Sequence, residues 1–144
     1  MSESIVPESE LEEVELYHAK SWWTEKVFTQ DAKLIAVQYG LTAFAIGFVA
    51  LVLSWFMRIQ IAFPELSIIS EGTYYQFITM HGMIMVVYLL TALFLGAFGN
   101  YLIPLMVGAR DMVFPYLNMV SYWTYLVAVL VLFASFFTPG GPTG

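Results

Sequence analysis

Cysteine is absent from the 144 residues of this chain. Its absence excludes disulfide bonds, thiolate metal sites and the Cys-x-x-Cys-His motif that attaches haem covalently. A metal bound by this chain must therefore be held by histidine, methionine or oxygen ligands.

Charge is also scarce, since charged residues make up only 11% of the chain. The five lysines and arginines are scattered, so the sequence lacks the basic patch that nucleic-acid binding requires, and no nucleic-acid partner is expected. Eight of the eleven acidic residues lie before residue 32, which assigns the net charge of −6 to an N-terminal tail, residues 1–33. The tail lacks the basic start and apolar core of a cleavable signal peptide.

Apolar residues dominate the remainder, and the whole chain is 60% hydrophobic. Three stretches reach the length of about 20 residues that a bilayer crossing requires. They are residues 34–57, 74–107 and 119–138. The sequence therefore predicts an all-α membrane protein with three transmembrane helices in a region spanning residues 34–144.

The orientation follows from the basic residues beside these stretches. They are Lys20, Lys26, Lys33 and Arg110. With three crossings, all four lie on one side of the membrane, and the excess of positive charge on cytoplasmic loops assigns that side to the cytoplasm. We expect a cytoplasmic N-terminus, with loop 58–73 and Gly144 on the opposite side.

His81 is the single histidine within an apolar stretch. Ionisable side chains inside a membrane are costly and usually mark a functional site, and neutral imidazole is a common ligand of iron, copper and zinc. A structural hydrogen bond to a neighbouring helix would also explain it. Small residues at helical spacing, Ala43, Gly47 and Ala50, indicate close helix packing.

One long motif carries a family resemblance. It runs Gly99-Asn-Tyr-Leu-Ile-Pro-Leu-Met-Val-Gly-Ala-Arg-Asp-Met-Val-Phe-Pro-Tyr-Leu-Asn118 and continues as Ser121-Tyr-Trp, with Thr79-Met-His-Gly and Arg58 upstream. Residues 20–144 resemble subunit I of the haem-copper oxidases, of the cytochrome c oxidase type. The resemblance implies that this chain is an N-terminal fragment, the first three helices of a membrane bundle of about twelve.

The resemblance implies a cofactor site on the outer half of the second helix. His81 would be one axial ligand of a low-spin haem, of A or B type, and Arg58 would contact a substituent of that haem. A second haem and a copper ion would be bound by residues outside this chain. Without the resemblance, Arg58 is explained by a long side chain that reaches the membrane interface.

The resemblance also implies a proton route at the opposite end. Asp111 would be the entrance carboxylate, Asn100 and Asn118 would hold a water chain, and Tyr39 would lie beside the route. Amide side chains both donate and accept hydrogen bonds, so they can order water without binding a charge. From the residues alone, loop and turn roles for Asp111 and both asparagines are the better explanation.

The implied function is that of a terminal respiratory oxidase, which reduces oxygen to water with electrons from cytochrome c and pumps protons. It would work in a bacterial inner membrane with subunits of the II and III type, and the fragment alone is not expected to be active. The alternatives are a quinol oxidase and a non-enzymatic three-span subunit with a structural histidine. Quinol-oxidising relatives carry polar residues on the first helix where this chain has the apolar Val49 and Leu53, and the residue eight before His81 is Thr73, which favours cytochrome c.

The sequence departs from the family pattern near the expected proton entrance. Met119 replaces a frequent second asparagine, Tyr116 replaces a frequent arginine, and Ala32 replaces a frequent histidine. We expect the details of the channel mouth to differ accordingly.

Overall fold

The computed structural model describes residues 21–142 of the chain. This part contains helices and no strand. The long helices are α1, Ala32–Ala62; α2, Glu71–Val107; and α3, Pro115–Ala134, which a 3₁₀ turn extends over Ser135–Phe137. All three are long and apolar enough to cross a membrane, which confirms the predicted fold class. Most of the predicted tail, residues 1–20, lies outside the described residues.

Helix α1 begins where the Asp31 carboxylate accepts a hydrogen bond from the Lys33 amide at 3.1 Å. It continues five residues beyond the predicted limit, so Arg58 lies inside the helix and the predicted loop 58–73 is wrong at its start. The helix stops at Ala62 because a proline at position 64 disfavours helical conformation in Phe63. Proline, and not the first charged residue, ends the helix.

Helix α2 begins after Ser70, whose hydroxyl accepts from the Thr73 amide at 3.3 Å, and ends at Gly108, which has a φ of 75°. Its middle is π-helical over Ile84–Leu90 and Ala92–Gly99. Isolated π turns are more common than such runs, and they occur frequently at functional sites. Here they set the direction of the side chains between His81 and Asn100.

Helix α3 begins with Pro115, a residue suited to the first helical position because its missing amide hydrogen would have no partner there. The helix therefore starts four residues before the predicted stretch. Asn118 lies in its first turn, and Asn100 lies in α2. Turn roles for the two asparagines are excluded by this placement.

The core lies along one face of α1, which packs against both other helices. Its buried residues recur every three or four positions: Ile35, Tyr39, Ala43, Ile46, Ala50 and Leu53. Ala43 and Ala50 are fully buried, as their small size allows. On α2, a Cβ atom at Gly96 would overlap the Tyr39 ring, so this glycine makes room for the tyrosine.

Candidate functional site

His81 forms a hydrogen bond between α2 and α1. Its Nδ1 atom lies 2.9 Å from the backbone carbonyl oxygen of Ala50. Because a carbonyl oxygen can only accept, Nδ1 carries the proton and donates it. In the neutral ring Nε2 then keeps its lone pair, the arrangement in which histidines bind metals.

The surrounding packing fixes the position of this ring. Met80 and Ile84, on either side of His81 in α2, are fully buried and pack with Ala50 in one apolar cluster. The absence of a bulky side chain at position 50 brings the two helices close enough for the imidazole to reach a main-chain oxygen. His81 therefore has, on a neighbouring helix, the hydrogen-bond partner that a histidine inside a membrane requires.

The side chains available as metal ligands in this part of the chain fit one kind of metal group. Within residues 21–142, no group of three or more histidine, aspartate or glutamate side chains could hold a metal ion. A zinc or copper site built by this part of the chain would need several ligands. Haem iron needs only one or two axial protein ligands, so a single oriented histidine fits haem and does not fit copper.

Arg58 lies in the last turns of α1, and its side chain is exposed. It is eight residues beyond Ala50, about 12 Å along the helix. The guanidinium makes no hydrogen bond or ion pair with the residues that the structure describes. Its expected contact with a haem substituent stays a prediction.

Asp111 lies in the loop between α2 and α3, next to the start of α1. Its Oδ1 atom accepts hydrogen bonds from the Ala32 amide at 3.2 Å and from the Met112 amide at 2.9 Å. Ala32 is the first residue of α1, so the carboxylate meets the positive end of the helix dipole. Asp111 is thus a loop anchor as well as an exposed carboxylate.

Tyr39 and Ser121 join α1 to α3 at the same end. The Tyr39 hydroxyl lies 3.0 Å from Ser121 Oγ, and Ser121 Oγ donates to the Asn118 carbonyl at 2.6 Å. Ser121 has one proton to give, so Tyr39 is the donor in the first bond. The sequence prediction missed Ser121, although its position three residues after Asn118 on a helix was a usable signal.

Two cavities lie beside these residues. The loop cavity, about 490 Å³, is bordered by Asp111, Asn118 and Ser121 together with apolar residues of α2 and the loop. The inner cavity, about 290 Å³, is bordered by Tyr39 and Asn100, and again by Asn118 and Ser121. Asn118 and Ser121 therefore border both cavities.

Buried polar groups in this region require water as a hydrogen-bond partner. Asn100 is buried, with 5% of its surface exposed. The Nδ2 atom of Asn118 is buried and has no hydrogen-bond partner among the described residues. Buried polar groups without protein partners are usually satisfied by ordered water, and both cavities have room for several molecules.

The predicted site residues thus separate into two groups along α2. Asp111, Asn118, Asn100 and Tyr39 cluster where α1 begins. His81 precedes Asn100 by 19 residues, and both π-helical stretches of α2 lie between them. The two groups can act on different partners, one on a metal group and the other on water.

These features define the chain as a multi-pass membrane protein with a hydrogen-bonded histidine on one half of its second long helix and a cluster of polar residues beside two cavities on the other half. A family model described as cytochrome c and quinol oxidase polypeptide I matches residues 34–144. The chain belongs to this family.

Individual relatives agree with this assignment. The chain is 72% identical over 140 residues to the alternative cytochrome c oxidase subunit 1 of Bradyrhizobium diazoefficiens, covering 96% of this chain and 24% of the relative. It is 40% identical over 121 residues to the haem-copper oxidase subunit I+III of Aeropyrum pernix, covering 84% of this chain and 15% of the relative. The cytochrome c oxidase subunit 1 of Thermostichus vulcanus is 38% identical over 129 residues, which cover 88% of this chain and 23% of the relative.

Proposed function

We propose that this chain is the N-terminal part of the catalytic subunit of a terminal respiratory oxidase, which reduces oxygen to water with electrons from cytochrome c and pumps protons. The observation that carries the proposal is the hydrogen bond from His81 Nδ1 to the Ala50 carbonyl, because it leaves Nε2 free for iron. The chain spans about a quarter or less of the length of the relatives named above, at 24%, 15% and 23%. The activity is therefore proposed for the intact protein.

In this proposal His81, oriented by its hydrogen bond to the Ala50 carbonyl, would hold a low-spin haem of A or B type. A haem supplies reversible one-electron chemistry at its iron when bound. The Ala50 carbonyl orients the imidazole and increases its basicity, as partners of metal-bound histidines generally do. Arg58 places a positive charge at the outer end of α1, where Coulomb attraction would favour electron uptake. The second haem and the copper ion are assigned to residues outside this chain.

The opposite end supplies the proton route. The exposed Asp111 carboxylate collects protons, and water in the loop cavity carries them to Asn118 and Ser121. Asn100 and Tyr39 then hold water in the inner cavity. No lysine or arginine lines either cavity among the described residues.

Cytochrome c is preferred to quinol as the electron donor, although the family description covers both. Leu53 is buried within the bundle and Val49 is half-buried, so this face of α1 offers a quinone ring no polar partner. The assembly proposed is a bacterial inner-membrane complex with subunits of the II and III type, and the N-terminus of this chain would be cytoplasmic.

The rival function is that of a non-enzymatic three-span subunit, for which the same hydrogen bond would make His81 structural. Absorbance spectra of the intact protein distinguish the two. We expect His81→Ala to abolish the low-spin haem band and His81→Met to retain a haem of changed potential, because methionine can also serve as an axial ligand. Gly82→Ala is the matched control, since its added Cβ meets no atom in the described structure.

An unchanged low-spin band in the His81→Ala protein would reject His81 as the ligand. Oxygen consumption by the wild-type protein then tests the donor. The proposal requires faster turnover with reduced cytochrome c than with a quinol, and the opposite order would identify a quinol oxidase.

A further inference from the structure

The segment that leads into α1 is held by a side chain of α1 itself. This segment, residues 23–31, begins with a π turn over Trp23–Val27, and we call it the arm. The Gln38 Nε2 atom donates to the Lys26 carbonyl at 2.9 Å and to the Val27 carbonyl at 3.1 Å. Both hydrogens of one side-chain amide are therefore used on consecutive main-chain oxygens of the arm.

The turn of α1 that carries Gln38 is tied to α3. The main-chain carbonyl of Gln38 accepts a hydrogen bond from Thr42 Oγ1 at 2.8 Å, and Thr42 Oγ1 lies 3.0 Å from the Tyr122 hydroxyl. Thr42 has one proton and gives it to Gln38, so Tyr122 is the donor in the second bond. Gln38 thus holds the arm from a part of α1 that is fixed between two helices.

The arm also contacts α3 directly. The Phe28 ring stacks on the Trp123 ring, with centroids 4.8 Å apart and planes inclined by 21°. The next residue of the arm, Thr29, is buried, and its hydroxyl accepts a hydrogen bond from the Asp31 amide at 3.1 Å. The path of the arm between Val27 and α1 is therefore defined by contacts with both helices.

The arm ends beside the candidate proton entrance. The residue that follows it, Ala32, donates its amide hydrogen to Asp111 Oδ1 at 3.2 Å. The first amides of a helix have no partner within the helix, and helix ends fray where nothing fixes them. If the arm is released, the first turn of α1 is free to fray. Asp111 then loses its donor on α1 and keeps only the Met112 amide of its own loop.

Packing alone does not require an amide at position 38. Gln38 is the single amide side chain between Leu34 and Met57, a stretch that is otherwise largely apolar. A polar side chain in such surroundings is costly unless it finds partners, and the partners that Gln38 finds are on the arm. Gln60 makes a similar bond at the other end of α1, where its Oε1 atom accepts from the Ile69 amide at 3.0 Å.

We propose that Gln38 is a positioning residue for the proton entrance. It holds the arm in place, which keeps the Ala32 amide on Asp111 and the carboxylate beside the loop cavity. This inference rests on the proposed proton route. Proton capture at the entrance limits turnover when protons are scarce, whereas later steps limit it when protons are abundant. A displaced entrance therefore raises the proton concentration needed for half-maximal turnover and leaves the maximum unchanged.

Oxygen consumption by the intact oxidase, measured as a function of pH, tests the inference. The midpoint is the pH at which turnover is half of its low-pH limit. We expect Gln38→Met to lower the midpoint by about 0.7 pH unit at an unchanged limit, because loss of one ordinary hydrogen bond changes an equilibrium about fivefold. The charged groups of the elements that meet here stay the same in this variant: Lys26, Asp31, Lys33, Arg110 and Asp111.

Gln60→Met is the matched control, since it removes a similar bond of the same helix at the opposite end. We expect its midpoint to equal that of the wild type. Phe28→Leu releases the arm without altering Gln38, because it removes the stack on Trp123, and its midpoint should fall as in Gln38→Met. This variant keeps the test decisive if Gln38→Met does not assemble.

Trypsin cleavage after Lys26 measures release of the arm without reference to turnover, because a protease cuts a segment that opens locally. We expect cleavage about fivefold faster in Gln38→Met, by the same hydrogen-bond estimate. Gln38→Met combined with Asp111→Asn should have the midpoint of Asp111→Asn alone, since residues that act through one group have effects that do not add.

Three results overturn the inference: a wild-type midpoint in a variant whose arm is cleaved faster, cleavage at the wild-type rate in Gln38→Met, and an equal shift of the midpoint in Gln60→Met. A further fall of the midpoint in the double variant also overturns it, because Gln38 would then act independently of Asp111. The profile of Asp111→Asn separates the two proposals. If it equals the wild-type profile, the proposed proton route is rejected; if it differs while Gln38→Met does not, the positioning role alone is rejected.

Discussion

The Asp111 carboxylate and the Ala32 amide are joined by a 3.2 Å hydrogen bond, although the two residues are 79 positions apart. The bond fastens the loop between α2 and α3 to the first turn of α1. It places a negative charge at a helix N-terminus, a stabilising position. The candidate proton entrance is therefore held by bonds that do not themselves require a charge.

Asp111→Asn should keep both hydrogen bonds, because the amide oxygen still accepts, while it removes the group that takes up protons. We expect normal haem content and proton uptake slowed about tenfold or more, at the lower edge of what a positioned proton-transfer group contributes. Proton release by reconstituted vesicles measures this effect. Asp31→Asn is the control, since asparagine caps a helix as well as aspartate; equal effects of the two substitutions would argue against an entrance role for Asp111.

Ala50→Leu should break the hydrogen bond from His81 by forcing α1 and α2 apart. Overpacking of a tight interior typically costs about 1–3 kcal/mol, and a histidine without its carbonyl partner is a weaker electron donor to iron. We expect the potential of the low-spin haem to rise in a redox titration. Ala45→Leu changes an exposed position of the same helix. If the potential of the low-spin haem changes in neither the Ala50→Leu nor the Ala45→Leu protein, the Ala50 carbonyl does not affect electron donation by His81.

Ser121→Ala should leave the Tyr39 hydroxyl without its acceptor. An unsatisfied buried polar group costs about 1–3 kcal/mol, and the disturbed water between the two cavities should slow proton uptake. Ser121→Thr should restore both stability and uptake, because threonine keeps the hydroxyl. Thr124→Ala is the comparison, because among the described residues the Thr124 hydroxyl bonds only to the Val120 carbonyl of its own helix. Wild-type uptake in Ser121→Ala would remove this residue from the route.

Gly96→Ala should destabilise the contact between α1 and α2, because the added Cβ overlaps the Tyr39 ring. We expect a loss of about 1–3 kcal/mol, as for other overpacked sites. Thermal loss of the haem spectrum measures it. Gly82→Ala, in the same helix, places its Cβ within 4 Å of no neighbouring atom of residues 21–142 and should leave the midpoint unchanged. Equal shifts would mean that helix propensity, not the Tyr39 contact, causes the effect.

Single cysteines introduced at Ser67 and Met112 should label from opposite sides of the membrane. The two loops are separated by α2, which is long and apolar enough to cross once. The chain has no cysteine of its own, so the introduced cysteine is the single site in it that can be labelled. Labelling of both from the same side would contradict the topology.

The sequence by itself determined the three membrane helices, because each depends only on a local run of apolar residues. The motif around Asp111 and the lone intramembrane histidine likewise identified the two candidate sites. The apolar run ends before Arg58, whereas helix α1 continues to Ala62, because a long charged side chain is tolerated near a helix end and Pro64 is the residue that stops the helix.

Only the tertiary structure decided what each site residue touches. The proton on His81 is assigned by the Ala50 carbonyl, 31 positions away, and the pairing of Tyr39 with Ser121 joins residues 82 positions apart. Such contacts depend on the rotation and depth at which helices pack. Small residues such as Ala50 and Gly96 permit a close approach, but their spacing does not specify which atoms of the neighbouring helix will meet there.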